Sequence, residues 1–213
     1  MAGAGFFLTF EGIDGTGKST QTRLLAERLR QLGREVVQTR EPGGAPGAEE
    51  IRSLLVEGEP GRWSPETEML LFTAARRDHV ERVVQPALAR GAVVVCDRYV
   101  DSTRAYQGAD APERREMVDR LHALAIGLDP DLTLVFDMEP EAALARAHNR
   151  ADGAGETRFE KKGLAFQQRL RAEFRAIAAA EPGRCTLIDA ARDAGAVAAQ
   201  VWAAAAPRLG LAP

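Results

Sequence analysis

The chain has 213 residues, 45% of them hydrophobic and 28% charged, with a formal net charge of −3. That length suits one α/β domain with a single core, and the composition is that of an ordinary globular protein. The slight negative charge speaks against a general nucleic-acid or membrane-surface binder, both of which need an excess of positive charge, so any polyanion must meet a local basic site.

In chain order, Phe6 to Phe10 reads as a short buried strand. The run FEGIDGTGKST follows, and from Gly12 to Ser19 it matches G-x-x-x-x-G-K-[ST], the pattern of a phosphate-binding loop. Glycines let the backbone curl so that successive N–H groups point inward, and the helix that follows adds the positive end of its dipole. Leu24, Leu25, Leu29 and Leu32 recur at helical spacing after the loop. Lys18 is expected to reach the β- and γ-phosphates of a nucleoside triphosphate, and the Ser19 hydroxyl to ligate Mg²⁺.

Further strands are expected at Glu35 to Thr39, Val93 to Cys96, Leu132 to Phe136 and Cys185 to Ile188, alternating with helical patterns. This alternation predicts βαβ units and a largely parallel sheet. Polar residues follow the strand ends at Glu11, Arg40, Asp97, Asp137 and Asp189, where an open parallel sheet forms its ligand crevice. Asp97, which closes AVVVCD, and Asp137, which closes LTLVFD, compete as the second carboxylate near Mg²⁺. Asp97 is favoured because Arg98 follows it, which sets a guanidinium for phosphate beside a carboxylate for metal. The plainer alternative is a salt bridge at the strand end.

The segment from Arg146 to Lys162 carries Gly153 and Gly155 within dense charge, and reads either as a solvated loop or as a lid over phosphates. Cys96 and Cys185 each lie in an apolar run and read as buried free thiols in a reducing compartment. The Ala-rich stretch from Ala190 to Ala206 reads as a soluble helix. No basic-then-apolar leader and no run of transmembrane length is visible, so the expected location is the cytoplasm.

A phosphate-binding loop alone does not say what becomes of the nucleotide. The absence of an N-K-x-D motif weakens a GTPase reading. FEGIDGTGKST, TREPGG, EEIR, LLFTAARRDH, CDRYVDSTRAYQG and TRFE stand in an order and approximate spacing that resemble bacterial thymidylate kinases, over most of the chain. The resemblance implies a three-layer α/β/α sandwich on a five-stranded parallel sheet. It implies one domain over residues 1–213 with a lid at 146–162, and a homodimer using ATP, dTMP and Mg²⁺, with no nucleic acid or membrane partner.

The resemblance also implies site residues. Gly12, Ile13, Asp14, Gly15, Thr16, Gly17, Lys18, Ser19 and Thr20 would bind ATP, with Ser19 and Asp97 on the metal. Phe72 would stack on thymine and Arg76, four residues on and so on the same helix face, would donate to its carbonyl edge. Read without the resemblance, Phe72 is a core residue and Arg76 a solvated charge. Arg98 and Arg52 would bind the acceptor phosphate, although Arg52 could equally pair with Glu49 on a helix surface. Glu41 and Pro42 would line the same pocket, Thr103 and Gln107 would meet the base edge, and Tyr106 would fill the space of a 2′-hydroxyl.

Asp14 would approach the acceptor's 3′-hydroxyl and a metal-bound water. Because the loop has Gly15 where some members carry arginine, transition-state charge would be met from the lid, by Arg150 and Arg158 with Arg146 behind them. Val80, Val83 and Val84 offer either a dimer seam or a sheet-facing row. Readings kept beside this one are another nucleotide or deoxynucleoside kinase of the same fold, and a non-catalytic ATP-binding regulator.

Overall fold

Strand β1 (Phe6–Glu11) organises the molecule, because it is hydrogen-bonded in parallel on both sides. The structure, a computed structural model, describes residues 5–59, 61–109, 111–148 and 163–212. After β1 come α1 (Lys18–Gln31), β2 (Val36–Arg40), α2 (Pro46–Val56) and α3 (Pro65–His79). A π-helical turn (Val80–Val84) leads into α4 (Gln85–Ala89), β3 (Val93–Asp97), α5 (Val100–Gly108) and α6 (Pro112–Ala125). The chain continues through β4 (Leu132–Asp137), α7 (Pro140–His148), α8 (Leu164–Ala180), β5 (Cys185–Asp189) and α9 (Ala194–Arg208).

The five strands form one parallel sheet in the order β2-β3-β1-β4-β5. Period-2 alternation sorts its side chains into two cores. Leu8, Phe10, Val93 and Val95 face one side, where Leu25 and Leu29 of α1, Phe174 of α8 and Trp202 of α9 cover them. Phe7, Val94 and Cys96 face the other, under Met69 of α3, Val100 of α5 and Val118 of α6. This is the expected three-layer sandwich, and the switch point beside β1 opens the crevice at the strands' C-terminal ends.

The strands run one residue further than expected. Glu11, Arg40, Asp97, Asp137 and Asp189 are their last residues, with Arg40 paired in register to Asp97 and Asp137 to Asp189. β2 is also shifted at its start, to Val36. Val80 and Val84 are buried in the second core, and Val83 packs against the small cluster of Ala45, Ala48 and Ala75. Val80 and Val84 therefore face the sheet, while Val83 is only partly buried. Cys96 and Cys185 are buried free thiols. Of the segment expected to act as a lid, Arg146 to His148 form the end of α7, and residues 149–162 lie outside the described residues.

Candidate active site

The phosphate loop leaves β1 at Gly12 and enters α1 at Lys18. Gly12 has φ 130°, and a Cβ there would stand 2.5 Å from the carbonyl oxygen of Phe136. Gly15 has φ 82°, and a Cβ there would fall 1.9 Å from the carbonyl oxygen of Ala143 in α7. The missing loop arginine thus has a steric counterpart, since α7 fills the space a side chain would need. The Ile13 side chain is core, while its carbonyl accepts from the Thr16 hydroxyl at 2.9 Å and from the Lys18 ammonium at 2.8 Å. Gly17 caps α1 without any side chain over the first N–H groups, which leaves them to an anion.

Lys18 is buried, and its pKa is pushed down to about 8, by burial first and then by the Arg98 guanidinium, against the pull of Asp14 and Asp97. Beside it the Ser19 hydroxyl donates to Asp97 Oδ2 at 2.6 Å. Asp137 is committed elsewhere. Arg171 Nε reaches it at 2.7 Å and Arg175 at 2.6 Å, and although burial raises its pKa these arginines hold it below the usual carboxylate value. The structure therefore brings Asp97, not Asp137, to the loop. Among the described residues no cluster of three or more His, Cys, Asp or Glu is set to hold a metal. One hydroxyl beside one carboxylate fits Mg²⁺, which keeps waters and shares its shell with substrate phosphates.

A half-open cavity adjoins the loop, lined by Glu41, Pro42, Phe72, Arg76, Arg98, Tyr99, Ser102, Thr103, Tyr106 and Gln107. Eight of the sequence-predicted acceptor residues meet there. Asp14 and Arg52 are not on its lining but contact it, Asp14 through an ion pair with Arg98 and Arg52 through a 2.7 Å bond to the Pro42 carbonyl. Glu49, the alternative partner for Arg52, pairs with Arg40. Arg76 is not a solvated charge. It is 3% exposed, and donates from Nε to Glu41 at 2.7 Å and from Nη2 to Thr103 Oγ1 at 3.1 Å. Phe72 is only partly buried and belongs to neither main core.

Arg98 has φ 70°, the one positive φ among the described non-glycine residues. An extended path would not turn its side chain back under the loop, and left-handed backbone persists only where the surroundings fix it. Its N–H donates to the Phe10 carbonyl at 2.9 Å. Its guanidinium donates to the Gly12 carbonyl (3.2 Å), to Ser102 Oγ (2.9 Å), to Tyr106 Oη (3.4 Å) and to the Asp14 carboxylate. Asp14 is thereby neutralised, and the Tyr106 hydroxyl donates to it at 3.3 Å. The Tyr106 ring is set edge-on to Phe166 and Phe174.

Three supports received no role from the sequence, although Glu11 stood among its strand-end candidates. Glu11 ends β1 fully buried and accepts from the Tyr99 N–H (2.7 Å), the Ser102 N–H (3.2 Å) and the Ser102 hydroxyl (2.6 Å). Burial, then the Asp101 charge, push its pKa up to about 7, against Ser102 and Arg98. His79 bridges Glu41 (Nδ1, 2.9 Å) and the Thr39 hydroxyl (Nε2, 2.8 Å). A carboxylate only accepts, so Nδ1 carries the proton that it shares with Glu41, and Nε2 shares a hydrogen bond with the Thr39 hydroxyl. Glu68 bonds Gln107. A signal was present, because Glu68, Phe72 and Arg76 recur every four residues and share one face of α3. On the far side of the loop, Thr16, Gly17, Thr20 and Gln21 line a second cleft with Arg146, Arg192 and Ala194. Arg146 donates there to the carbonyls of Ala190 and Ala191, so it stands beside the β5–α9 turn. Arg150 and Arg158 lie outside the described residues.

A parallel α/β sandwich with a phosphate loop, a hydroxyl–carboxylate pair beside it and a second, arginine-lined pocket facing it defines a P-loop kinase of nucleotides. Comparison with known proteins narrows the class. The family model described as thymidylate kinase matches residues 10–201. The chain is 61% identical over 201 residues to a thymidylate kinase of Ruegeria pomeroyi, covering 94% of each chain. It is 56% identical over 209 residues to that of Caulobacter vibrioides, covering 97% of this chain and 99% of the relative. The crystal structure of thymidylate kinase from Ehrlichia chaffeensis superposes with a TM-score of 0.75 at 33% identity, covering 93% of this chain and 97% of that one. The chain belongs to the thymidylate kinase family. It is an ATP-dependent phosphotransferase with thymidylate kinase activity.

Proposed function

We propose that the enzyme moves the γ-phosphoryl group of Mg·ATP, seated on Gly12 to Thr20, to dTMP held between Phe72 and Tyr106, giving dTDP and ADP. The observation that carries this assignment is the place of Arg98, whose guanidinium bonds both the phosphate loop and the wall of the second cavity. A monophosphate on Arg98 and a triphosphate on the loop meet at that point. The acceptor oxygen is already anionic near neutral pH, so no general base is needed. A new bond forms from that oxygen to the γ-phosphorus as the bond to the β–γ bridging oxygen breaks, its electrons staying on ADP. Catalysis is then positioning and charge neutralisation.

Lys18 and the loop N–H groups hold the donor phosphates, and Arg98, with Arg52 behind Pro42, holds the acceptor phosphate. Phe72 stacks on thymine, Arg76, Thr103 and Gln107 read its edge, and Tyr106 occupies the 2′ side of the sugar, with Asp14 at the 3′-hydroxyl. Ser19 and Asp97 are the residues that would hold Mg²⁺, which when bound neutralises charge across the donor phosphates. Arg150 and Arg158 are assigned to the transferring group from a lid that completes a single domain and excludes water. The cleft of Thr16, Gln21 and Arg146 suits adenine, and the buried Gln21 Oε1, without a hydrogen-bond partner among the described residues, offers an acceptor for its amine.

No described helix is long and apolar enough to cross a membrane. A cytoplasmic enzyme accords with the two free thiols. A homodimer accords with Leu70 on α3 and Leu124 on α6, exposed at 52% and 89%. The test of the assignment is a coupled assay with Mg·ATP across dTMP, dUMP, dCMP, AMP and thymidine. The highest kcat/KM is expected for dTMP, with no turnover of thymidine, which brings no phosphate to Arg98. Preference for AMP or thymidine would contradict the acceptor site.

A further inference from the structure

We propose that Glu68 is a specificity-determining positioning residue, which fixes the amide of Gln107 so that the acceptor pocket presents an oxygen, not an N–H, to the N3 position of a pyrimidine. The inference rests on the reading that the cavity between Phe72 and Tyr106 takes the base. Gln107 is on α5 and lines that cavity, while Glu68 is on the first turns of α3 behind it. Both are buried, at 4% and 7% exposure. Gln107 Nε2 donates to Glu68 Oε2 at 3.1 Å, and Gln107 Oε1 is buried with no hydrogen-bond partner among the described residues.

An amide has two faces of similar shape and opposite hydrogen-bonding character, so the choice between them depends on what it meets. A carboxylate only accepts. Glu68 can therefore bond only the NH₂ face, and turning the amide over would set two acceptor oxygens together in a buried place, forfeiting one hydrogen bond and adding repulsion. The oxygen is left as the polar atom still unmet, and a buried unmet acceptor is a demand for a donor.

Arg76 supplies the opposite character to the same cavity. Its guanidinium is donor-only, and Glu41 and Thr103 fix its orientation. Arg76 and Gln107 thus offer a donor and an acceptor. Thymine and uracil present the complement, an acceptor at O4 and a donor at N3–H. Cytosine presents the reverse, a donor amine at C4 and a bare acceptor at N3. With the amide fixed, cytosine leaves Gln107 Oε1 facing N3, acceptor against acceptor, which is a selective rejection and not merely a lost contact.

The test is steady-state kinetics of the full chain with dTMP, dUMP and dCMP, for wild type, Glu68→Gln, Gln107→Leu and the double variant. Glu68→Gln keeps the shape but provides a side chain that both donates and accepts, so neither face of Gln107 is enforced. The kcat/KM ratio of dTMP to dCMP is expected to fall about tenfold, the worth of one hydrogen bond. The dUMP value should move with dTMP, and KM for ATP should hold. In the Gln107→Leu background, Glu68→Gln should change the ratio no further, an outcome that a purely structural role for Glu68 does not produce.

Should Glu68→Gln fail to fold, Glu68→Met removes the acceptor at similar volume, with the same fall in ratio expected. An unchanged ratio in a folded Glu68 variant, or an equal fall with and without Gln107, overturns the proposal. Arg76→Lys reports separately on the pocket itself. If that variant leaves KM for dTMP unchanged, the base-site reading has failed and not only the role of Glu68.

Discussion

The donor and acceptor halves of the site share the C-terminal end of one sheet but are held in different ways. In the donor loop the bonds that fold the cradle are local, Thr16 and Lys18 both reaching the Ile13 carbonyl three and five residues back, while the Ser19 hydroxyl reaches out to Asp97. In the acceptor pocket the bonds that fix Arg76, Gln107 and Asp14 span the fold. Arg76 to Glu41 crosses 35 residues, Gln107 to Glu68 crosses 39, and Arg98 to Asp14 crosses 84. A local cradle made of backbone recognises any triphosphate, whereas reading one base needs rigid donors and acceptors that only packed elements supply.

Substitutions in the two halves should therefore fail differently. The largest effect is expected for Lys18→Ala. Removing the cation from the loop should lower kcat by about 10³-fold, with a melting temperature near wild type, because among the described residues the ammonium's one protein bond is to a nearby carbonyl. Substantial residual turnover would remove Lys18 from its role. Gly15→Ala breaks the comparison from the other side, since Gly15 is where the donor loop does meet a distant element. The methyl group would collide with the Ala143 carbonyl at a backbone angle that disfavours it, and a loss of about 1–3 kcal/mol is expected in denaturant unfolding. Wild-type stability would mean that α7 yields freely.

The mildest test is pH. The Lys18 pKa is lowered to about 8 by burial and then Arg98, so its charge is complete below pH 8 and is lost as pH rises through that value. A group that must be protonated to hold phosphate makes kcat/KM for ATP fall on the alkaline side with an apparent pKa near 8. A profile flat to pH 9 would show that the lysine stays charged in the free enzyme.

The same contrast explains what could be read in the sequence. The five strands, their parallel order class and the loop were legible, because apolar runs and a contiguous glycine motif are local signals. Arg76, read from residue chemistry alone, looked like a surface charge. Only the packing of α3 against β2 and α5 brings it to Glu41 and Thr103. Glu11 was visible merely as a polar residue after an apolar run, and its capping of the Tyr99 and Ser102 amides depends on the turn at Arg98, whose φ no local pattern announced. Asp97 and Asp137 both stood as strand-end carboxylates, with Asp97 favoured by the arginine after it, and what decides against Asp137 is that Arg171 and Arg175 of α8 close over it. Val80 and Val84 carried no mark of direction, and the π-helical turn rotates them toward the sheet.

The central claim is that two separately built halves serve two substrates, and KM values measured for both substrates in Arg76→Lys test it most directly. Lysine keeps a positive charge beside Glu41 but loses the planar fork that spans Glu41, Thr103 and the cavity. KM for dTMP should rise about tenfold, one charge-assisted hydrogen bond's worth, with KM for ATP unchanged. A rise in KM for ATP, or no change in either, would contradict the assignment of the Phe72–Tyr106 cavity to the acceptor base.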